Sequence, residues 1–367
     1  MNRSLKQALK CAGVAFALTA ALAGAAVLEP RIKVALDSIS AQSLRGRLSF
    51  IASDALEGRG TPSRGLTIAS EYIAADFRRA GLEPGGDTPG SYFQEAPIEF
   101  TEGSEKRKIT RRARVRNVIG ILRGSDPMLR DECVMLSAHY DHLGKKAPGP
   151  GDRIYNGAND NGSGTVTVME IADALSKLDP HPRRSILFVA FAAEEEGLLG
   201  SRYYAKHPAW PLSKTIADVN LEQLGRTDAS DGEQKGTATL TGFGFSTIAN
   251  TLRKAGEETG IRVYDSEPNS ARFFVSSDNL ALAEVGVPAN TVAVAYIFPD
   301  YHKVGDEWRK IDYGNLAHVD RMLALAVVML ADDARTPQWT NEPATQKYRD
   351  AWERLHAGEA SKANKER

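Results

Sequence analysis

The fold of this chain follows from a short apolar run, CVMLSA at residues 133–138, which leads directly into the polar stretch HYDHLG at residues 139–144. A nearly continuous apolar run of this length predicts a strand that is buried on both faces, as in a parallel sheet. The run SILFVAF at residues 185–191 has the same character. Further strands are predicted at residues 216–221 and 291–297.

Helices are predicted around these strands, at residues 38–56, 65–81, 164–178, 244–258 and 317–331, with one more ending near Tyr204. Alternation of strands and helices favours a parallel sheet with helices on both faces. Antiparallel strands are predicted at residues 94–98 and 115–122. We therefore expect an α/β fold, a three-layer sandwich whose central sheet is mixed but mostly parallel.

The composition is that of a globular protein. The 367 residues include 42% hydrophobic and 25% charged residues, and the net charge is −1. These values exclude a disordered or fibrous chain. No bulk charge favours nucleic acid or an anionic membrane, so we expect neither nucleic acid nor a stable membrane partner.

The first 25 residues have the pattern of a secretory signal peptide. Basic residues up to Lys10 are followed by an apolar, small-residue stretch that ends in Ala23-Gly24-Ala25. We expect cleavage near Ala25 and export to the periplasm or the medium. The alternative is a retained N-terminal anchor.

The rest of the chain is predicted to form one domain at residues 26–340, followed by a polar tail at residues 341–367 that contains one short helix at 345–356. Cleavage would leave Cys133 as the single cysteine, so we expect no intrachain disulfide.

Polar side chains follow each predicted parallel strand. They are His139, Asp141 and His142, then Glu194, Glu195 and Glu196, then Glu222, and finally Asp300 and His302. Since the carboxyl ends of parallel strands meet at one edge, these groups should converge there, together with the glycine-rich loop at residues 157–164. Imidazoles and carboxylates without thiolates indicate zinc or manganese, and zinc is the usual metal for hydrolysis.

The pattern resembles the di-zinc exopeptidase family that includes bacterial leucyl aminopeptidases and glutamate carboxypeptidase. The matching stretches are residues 139–144, 156–164, 191–201, 220–222, 277–279 and 301–302. The resemblance covers roughly residues 40–335, with the motifs in the family's order and spacing. Each motif alone is a weak signal, but together they make a chance match improbable.

This resemblance implies a role for each matched residue and two Zn²⁺ per chain. His139 and Glu222 would hold one zinc, Glu195 and His302 the other, and Asp160 would bridge both. Glu194 would be the general base. Two zincs would lower the pKa of a shared water and polarise the scissile carbonyl.

Other residues are expected to support this group. Asp141 is the natural acceptor for the second ring nitrogen of His139. Asp278, Asn279 and Tyr301 are predicted to support the ligands or to line the substrate pocket. His142 is expected beside the ligands or on the surface, but not as a ligand. Arg226 and Tyr301 are candidates for oxyanion stabilisation, and Arg59 and Gly60 for the mouth of the site.

We therefore expect an exported metallo-exopeptidase, an aminopeptidase acting on peptides. Carboxypeptidase or dipeptidase activity is the alternative within the fold, because the family's aminopeptidases usually carry aspartate where this chain has Glu222. Asn159 also departs from the usual acidic residue, but the bridge falls on Asp160. A single-zinc glutaminyl cyclase is disfavoured because both ligand pairs are intact, and the intact base and ligands likewise disfavour a non-catalytic binding module. The short segment at residues 98–115 leaves no room for an inserted lid, so an open site is expected.

Overall fold

The computed structural model describes residues 28–104, 107–230 and 232–365. Strands in this part of the chain are β1 (Glu83–Pro84), β2 (Phe93–Ser104), β3 (Arg107–Leu122), β4 (Cys133–His139), β5 (Ser185–Phe191), β6 (Thr215–Glu222), β7 (Asp228–Ala229), β8 (Gly232–Glu233), β9 (Thr237–Leu240), β10 (Arg262–Tyr264) and β11 (Ala289–Ala293). The predicted signal peptide at residues 1–25 lies outside the described residues.

The α-helices in the same part of the chain are α1 (Pro30–Ser38), α2 (Ala41–Ile51), α3 (Arg64–Arg79), α4 (Gly164–Leu175), α5 (Leu199–Lys206), α6 (Ile248–Thr259), α7 (Asn269–Arg272), α8 (Asn279–Glu284), α9 (Tyr313–Asp332) and α10 (Gln346–Lys365). Helix α9 is long and apolar enough to span a membrane, but 78% of its apolar window is buried inside the protein. It therefore packs as a core helix.

The large sheet has the strand order β1-β3-β5-β4-β6-β11-β9-β10, and β2 pairs with β3. Its four central strands, β5, β4, β6 and β11, are parallel. On either side, β3 runs antiparallel to β5 and β9 antiparallel to β11. The mixed, mostly parallel sheet expected from the sequence is confirmed.

Helices cover both faces of this sheet, which gives the three layers. Successive residues of β4 alternate between two apolar clusters: Val134 and Leu136 face one, and Cys133 and Met135 face the other. The first cluster includes residues of α2, α3, α4, α6 and α9. The second includes residues of α5, α8 and α10. Burial on both faces explains why β4 and β5 are almost entirely apolar.

Several elements differ in extent from the sequence prediction; the helix expected at residues 38–56, for example, is α2 (Ala41–Ile51). Strand β11 ends at Ala293, because the chain leaves the sheet there and carries His302 back to its edge. The β2–β3 hairpin is longer than predicted, since cross-strand ion pairs such as Arg112–Glu99 (2.5 Å) replace the apolar alternation that marks a strand. Helix α10 is also longer, and Tyr348 near its start is buried and stacks on Trp339 at 5.0 Å.

Candidate metal centre

Six predicted site residues lie along the carboxyl edge of the parallel strands: His139, Asp160, Glu194, Glu195, Glu222 and His302. His139 and Glu222 are the last residues of β4 and β6, so the sheet itself fixes both. The other four lie on the loops that follow β5 and β11 and that enter α4. The convergence predicted from strand direction is present in the structure.

The first ligand group surrounds the ring of His139. Its Nε2 lies 3.2 Å from Oε1 of Glu222 and 3.6 Å from Oδ1 of Asp160. Oε2 of Glu194 is slightly farther, at 3.9 Å. All four side chains are at least mostly buried.

The second ligand group surrounds His302. Its Nε2 lies 3.1 Å from Oδ2 of Asp160 and 3.5 Å from Oε2 of Glu195. The two groups share Asp160, whose Oδ1 faces His139 while its Oδ2 faces His302. The carboxylate therefore stands between the two groups with one oxygen for each.

The spacing of the donor atoms in each group suits metal ligation. Ligand atoms of a tetrahedral zinc lie about 3.3 Å apart, because each is about 2.0–2.1 Å from the ion. The distances around His139 and His302 match that spacing. Oδ2 of Asp160 is buried and, apart from its contact with Nε2 of His302, has no hydrogen-bond partner among the described residues, so it is available to a metal.

The electrostatics of the site also favour a bound metal ion. Burial alone would lower the pKa of His139, but the carboxylates of Glu222 and Glu194 raise it well above its usual range. The cluster of His139, Glu194 and Glu222 therefore favours an added positive charge, which a bound dication would supply.

Asp141 supports both halves of the site. It is fully buried, and its Oδ1 lies 3.5 Å from Nδ1 of His139. Its carboxylate also accepts hydrogen bonds from the backbone N–H groups of Glu194 (3.1 Å) and Glu195 (3.3 Å). One carboxylate therefore orients a histidine and the turn that carries two acidic side chains.

His142 is buried, not on the surface. Its Nδ1 lies 2.7 Å from Oε1 of Glu195, whose other oxygen faces His302. This contact holds Glu195 in place and leaves Oε2 toward the second ligand group. With Glu195 and Asp160, His142 also forms a cluster compact enough to hold a metal, which sequence reasoning did not anticipate.

Glu194 is placed by a backbone turn directly after β5. Ala193 adopts a left-handed conformation (φ 60°), which turns the chain so that Glu194 faces the first ligand group and Glu195 the second. Burial raises the pKa of Glu194 well above its usual range; His139 opposes this effect, while Glu222 and Asp278 add to it. A carboxylate with a raised pKa is the stronger general base.

A buried polar network stands behind Glu222. Ser277 donates to Oε1 of Glu222 (2.7 Å) and accepts a hydrogen bond from Nδ2 of Asn220 (2.8 Å). Ser137 links Asn220 to Asp218, whose pKa burial raises to about 8. The network fixes the orientation of Glu222 through the hydrogen bond from Ser277.

Arg59 lies beneath the ligand loops and not at the mouth predicted for it. Its side chain is fully buried, and it donates to four backbone carbonyls, those of Ile51, Tyr140, Asn156 and Gly157. Burial lowers its pKa to about 10. By joining the loops that follow β4 and precede α4, it sets the relative positions of His139 and Asp160.

The loop that carries Asp160 is fixed by two further residues. Asp306, which sequence reasoning missed, accepts hydrogen bonds from the backbone N–H groups of Asn159 (2.9 Å) and Asp160 (3.0 Å). The side chain of Asn159 in turn accepts from the N–H groups of Gly225 and Arg226. Asn159 is thus a structural residue of the loop, consistent with the bridging position falling on Asp160.

A pocket of about 280 Å³ opens beside the ligands. Tyr301 lines it and stacks on His302 at 4.0 Å. Both residues are more than a third exposed, so the site is open to solvent on their side. Further lining residues are Gln223, Thr241, Arg272, Phe273, Ser276, Ser277, Thr291, Tyr296 and Ile297.

Three residues that were predicted to take part in the site do not line the pocket. Asp278 is fully buried behind Ser277 and accepts from Ser201 Oγ at 2.5 Å. Asn279 is also buried and donates to the carbonyl of Phe274. Arg226 binds Asp228 and Asp300 in ion pairs, so its role is to hold the loop that leads to His302.

Comparison with known proteins identifies relatives of this arrangement. The sequence pattern of peptidase family M28 matches residues 117–327, a range that includes all six site residues. Aminopeptidase YwaD of Bacillus subtilis (strain 168) is 28% identical over 265 residues, 71% of this chain and 54% of its own length. A probable zinc metalloprotease of Pyricularia oryzae is 29% identical over 280 residues, 73% and 51% of the two chains. The chain thus spans about half the length of these curated relatives.

A solved structure shares the fold. An aminopeptidase from Aneurinibacillus sp. strain AM-1 matches with a TM-score of 0.63 and 16% identity, over 85% of this chain and 98% of that chain. At this level of identity the likeness shows the architecture alone.

Proposed function

Since the chain belongs to peptidase family M28, we propose that it is a zinc-dependent aminopeptidase that uses two Zn²⁺ to release N-terminal residues from peptides. The observation that carries this proposal is the position of Asp160, with one carboxylate oxygen toward each of two histidine–carboxylate groups. A site for one metal would not need a carboxylate between two such groups.

The donor set divides into two triads. His139, Glu222 and Asp160 would hold one zinc, and His302, Glu195 and Asp160 the other. When bound, the metals would lower the pKa of a shared water and polarise the scissile carbonyl. Three ligand carboxylates contribute three negative charges, so a hydroxide would complete the balance of the four positive charges.

Glu194 supplies the proton transfers. It accepts the proton of the attacking water while the new C–O bond forms, and it then delivers that proton to the departing amine as the C–N bond breaks. Tyr301, stacked on His302 at the exposed side of the site, would hold that ligand toward the pocket.

The choice of aminopeptidase over carboxypeptidase rests on the relatives, of which Bacillus subtilis YwaD is named an aminopeptidase. A non-catalytic binding module would be expected to lack the base or a ligand. Glu194 and all five ligands are present in this chain.

Removal of metal tests the proposal. We expect hydrolysis of leucyl p-nitroanilide to fall to background after dialysis against a zinc chelator and to return when Zn²⁺ is added. Metal analysis of the active enzyme should give two zinc ions per chain. Full activity in the chelated, metal-free protein would contradict a metal-dependent reaction, and one zinc per active chain would contradict the shared-carboxylate assignment.

Export is part of the same proposal and is supported by the basic-then-apolar pattern of residues 1–25. N-terminal sequencing of the exported protein is expected to begin near residue 26. An exported protein that still begins at Met1 would instead support the N-terminal anchor.

A further inference from the structure

The pocket beside the metal centre has an aromatic wall that belongs to neither ligand group. Phe273 and Tyr296 line the pocket and stack on each other, with ring centroids 5.1 Å apart and planes at 29°. Both side chains are partly exposed. At about 280 Å³, the pocket is near the lower end of small-molecule sites, which span about 300–1,000 Å³. It therefore suits one or two amino-acid residues.

Arg272 adds a positive charge to this wall. Among the described residues that line the pocket, Arg272 is the one arginine or lysine. The acidic residues that line the pocket all belong to the metal centre. Its guanidinium lies 5.2 Å from the centre of the Phe273 ring. Within residues 28–104, 107–230 and 232–365, its side chain has no ion pair or hydrogen bond.

Among the described residues, the acidic side chains near Arg272 in sequence form no ion pair with it. Asp265 and Glu267 both accept hydrogen bonds from Ser270 Oγ, at 2.7 and 3.0 Å. Arg226, at the other side of the site, differs from Arg272 because it is bound by two aspartates. Arg272, which has no ion-pair partner in the described part of the chain, thus offers a planar donor to a molecule bound in the pocket.

We propose that Arg272 selects substrates by binding a carboxylate of the peptide held in this pocket. A guanidinium forms charge-assisted, often bidentate hydrogen bonds with a carboxylate. The carboxylate can come from an acidic side chain at the N-terminal residue or from the C-terminus of a very short peptide. This inference deepens the proposed aminopeptidase function and rests on it.

Two pairs of substrates distinguish these sources. Glutamyl and glutaminyl p-nitroanilides differ only in a side-chain carboxylate, and neither has a free C-terminus. The dipeptide Leu-Gly and its amide differ only in the C-terminal carboxylate. We expect kcat/KM to favour the carboxylate member of at least one pair by about tenfold, mainly through KM, as befits a charge-assisted hydrogen bond at a partly exposed site.

Arg272→Gln should remove that preference, lowering the ratio of kcat/KM within the responding pair by about tenfold. Arg272→Lys should keep part of it, because the charge remains but the planar fork is lost. The matched control is Arg253→Gln, since Arg253 is also an exposed arginine over a phenylalanine ring, that of Phe243, but lies outside the pocket. It should leave the ratio unchanged.

Each result has one meaning. A response of the glutamyl pair assigns the side chain as the source, and a response of the dipeptide pair assigns the C-terminus. Ratios near one in the unmodified enzyme, or ratios that Arg272→Gln does not alter, would overturn the inference while leaving the aminopeptidase intact. If the zinc-loaded enzyme cleaves neither the nitroanilides nor the dipeptides, the proposed function itself fails, and this inference fails with it.

Discussion

Replacing Glu194 with glutamine is expected to lower kcat by about 10²–10⁴-fold, the usual contribution of a general acid–base group. Glutamine keeps the size of the side chain and can still accept a hydrogen bond from water, but it cannot take the proton. Because Glu194 is not one of the proposed metal ligands, the variant should bind as much zinc as the unmodified enzyme. The measurement is kcat on leucyl p-nitroanilide alongside zinc content.

Glu196→Gln is the matched control, because Glu196 is an exposed carboxylate two residues farther along the same turn. It should retain its activity and its zinc. If Glu194→Gln were fully active with a full complement of zinc, another group would have to act as the base. Loss of zinc in Glu194→Gln would instead mean that Glu194 is a ligand, a possibility raised by its 3.9 Å contact with His139.

Replacing Asp160 with asparagine is expected to cause the second large loss of activity. The loss should come from weaker metal binding and not from a missing proton transfer. The two oxygens of Asp160 face His139 and His302, and a neutral amide would offer one oxygen and remove one negative charge from both ligand groups. Even residues that only support metal ligands cost about 10–100-fold in metal affinity or activity when replaced, so at least a 100-fold loss of activity is expected here.

Zinc content and thermal unfolding distinguish this variant from Glu194→Gln. A ligand that binds only the folded state raises its stability, so added Zn²⁺ should raise Tm in the unmodified protein and less in Asp160→Asn. Asp131→Asn, a change at an exposed aspartate just before β4, should behave like the unmodified protein. Two tightly bound zinc ions in Asp160→Asn would show that Asp160 is not a shared ligand.

The fold was predictable because its signals are local. Strands β4 and β5 are nearly continuous apolar runs, and the polar residues His139 at the end of β4 and Glu222 at the end of β6 identify the sheet edge. The length of the β2–β3 hairpin was underestimated because its signal is not local. Its outer part is charged, and only pairing with the partner strand makes it a strand.

The residues that hold the ligand loops in place could not be predicted from local sequence patterns. Arg59 stands in a turn, and its four carbonyl partners come from three separate parts of the chain. Asp306 is more than 140 residues from the loop that it fixes. Neither residue has a sequence pattern that would indicate its partners, because buried hydrogen bonds of this kind depend on which loops meet.

The residues of the pocket wall could not be predicted from the sequence either. Arg272 and Phe273 lie in a short helical segment with no motif, and Tyr296 lies just beyond the end of β11. Only folding brings Phe273 and Tyr296 into contact, and with them the charge of Arg272 into the pocket.

The sequence by itself determined the parallel sheet, the edge that carries the site, and the imidazoles and carboxylates that stand there. These follow from periodicity and from residue types at strand ends, which short-range sterics and burial control. The tertiary structure alone decided that Asp160 faces both histidines, that His142 holds Glu195, and that Arg59 lies beneath the site. Those contacts join loops from distant parts of the chain, so their geometry exists only once the sheet has assembled.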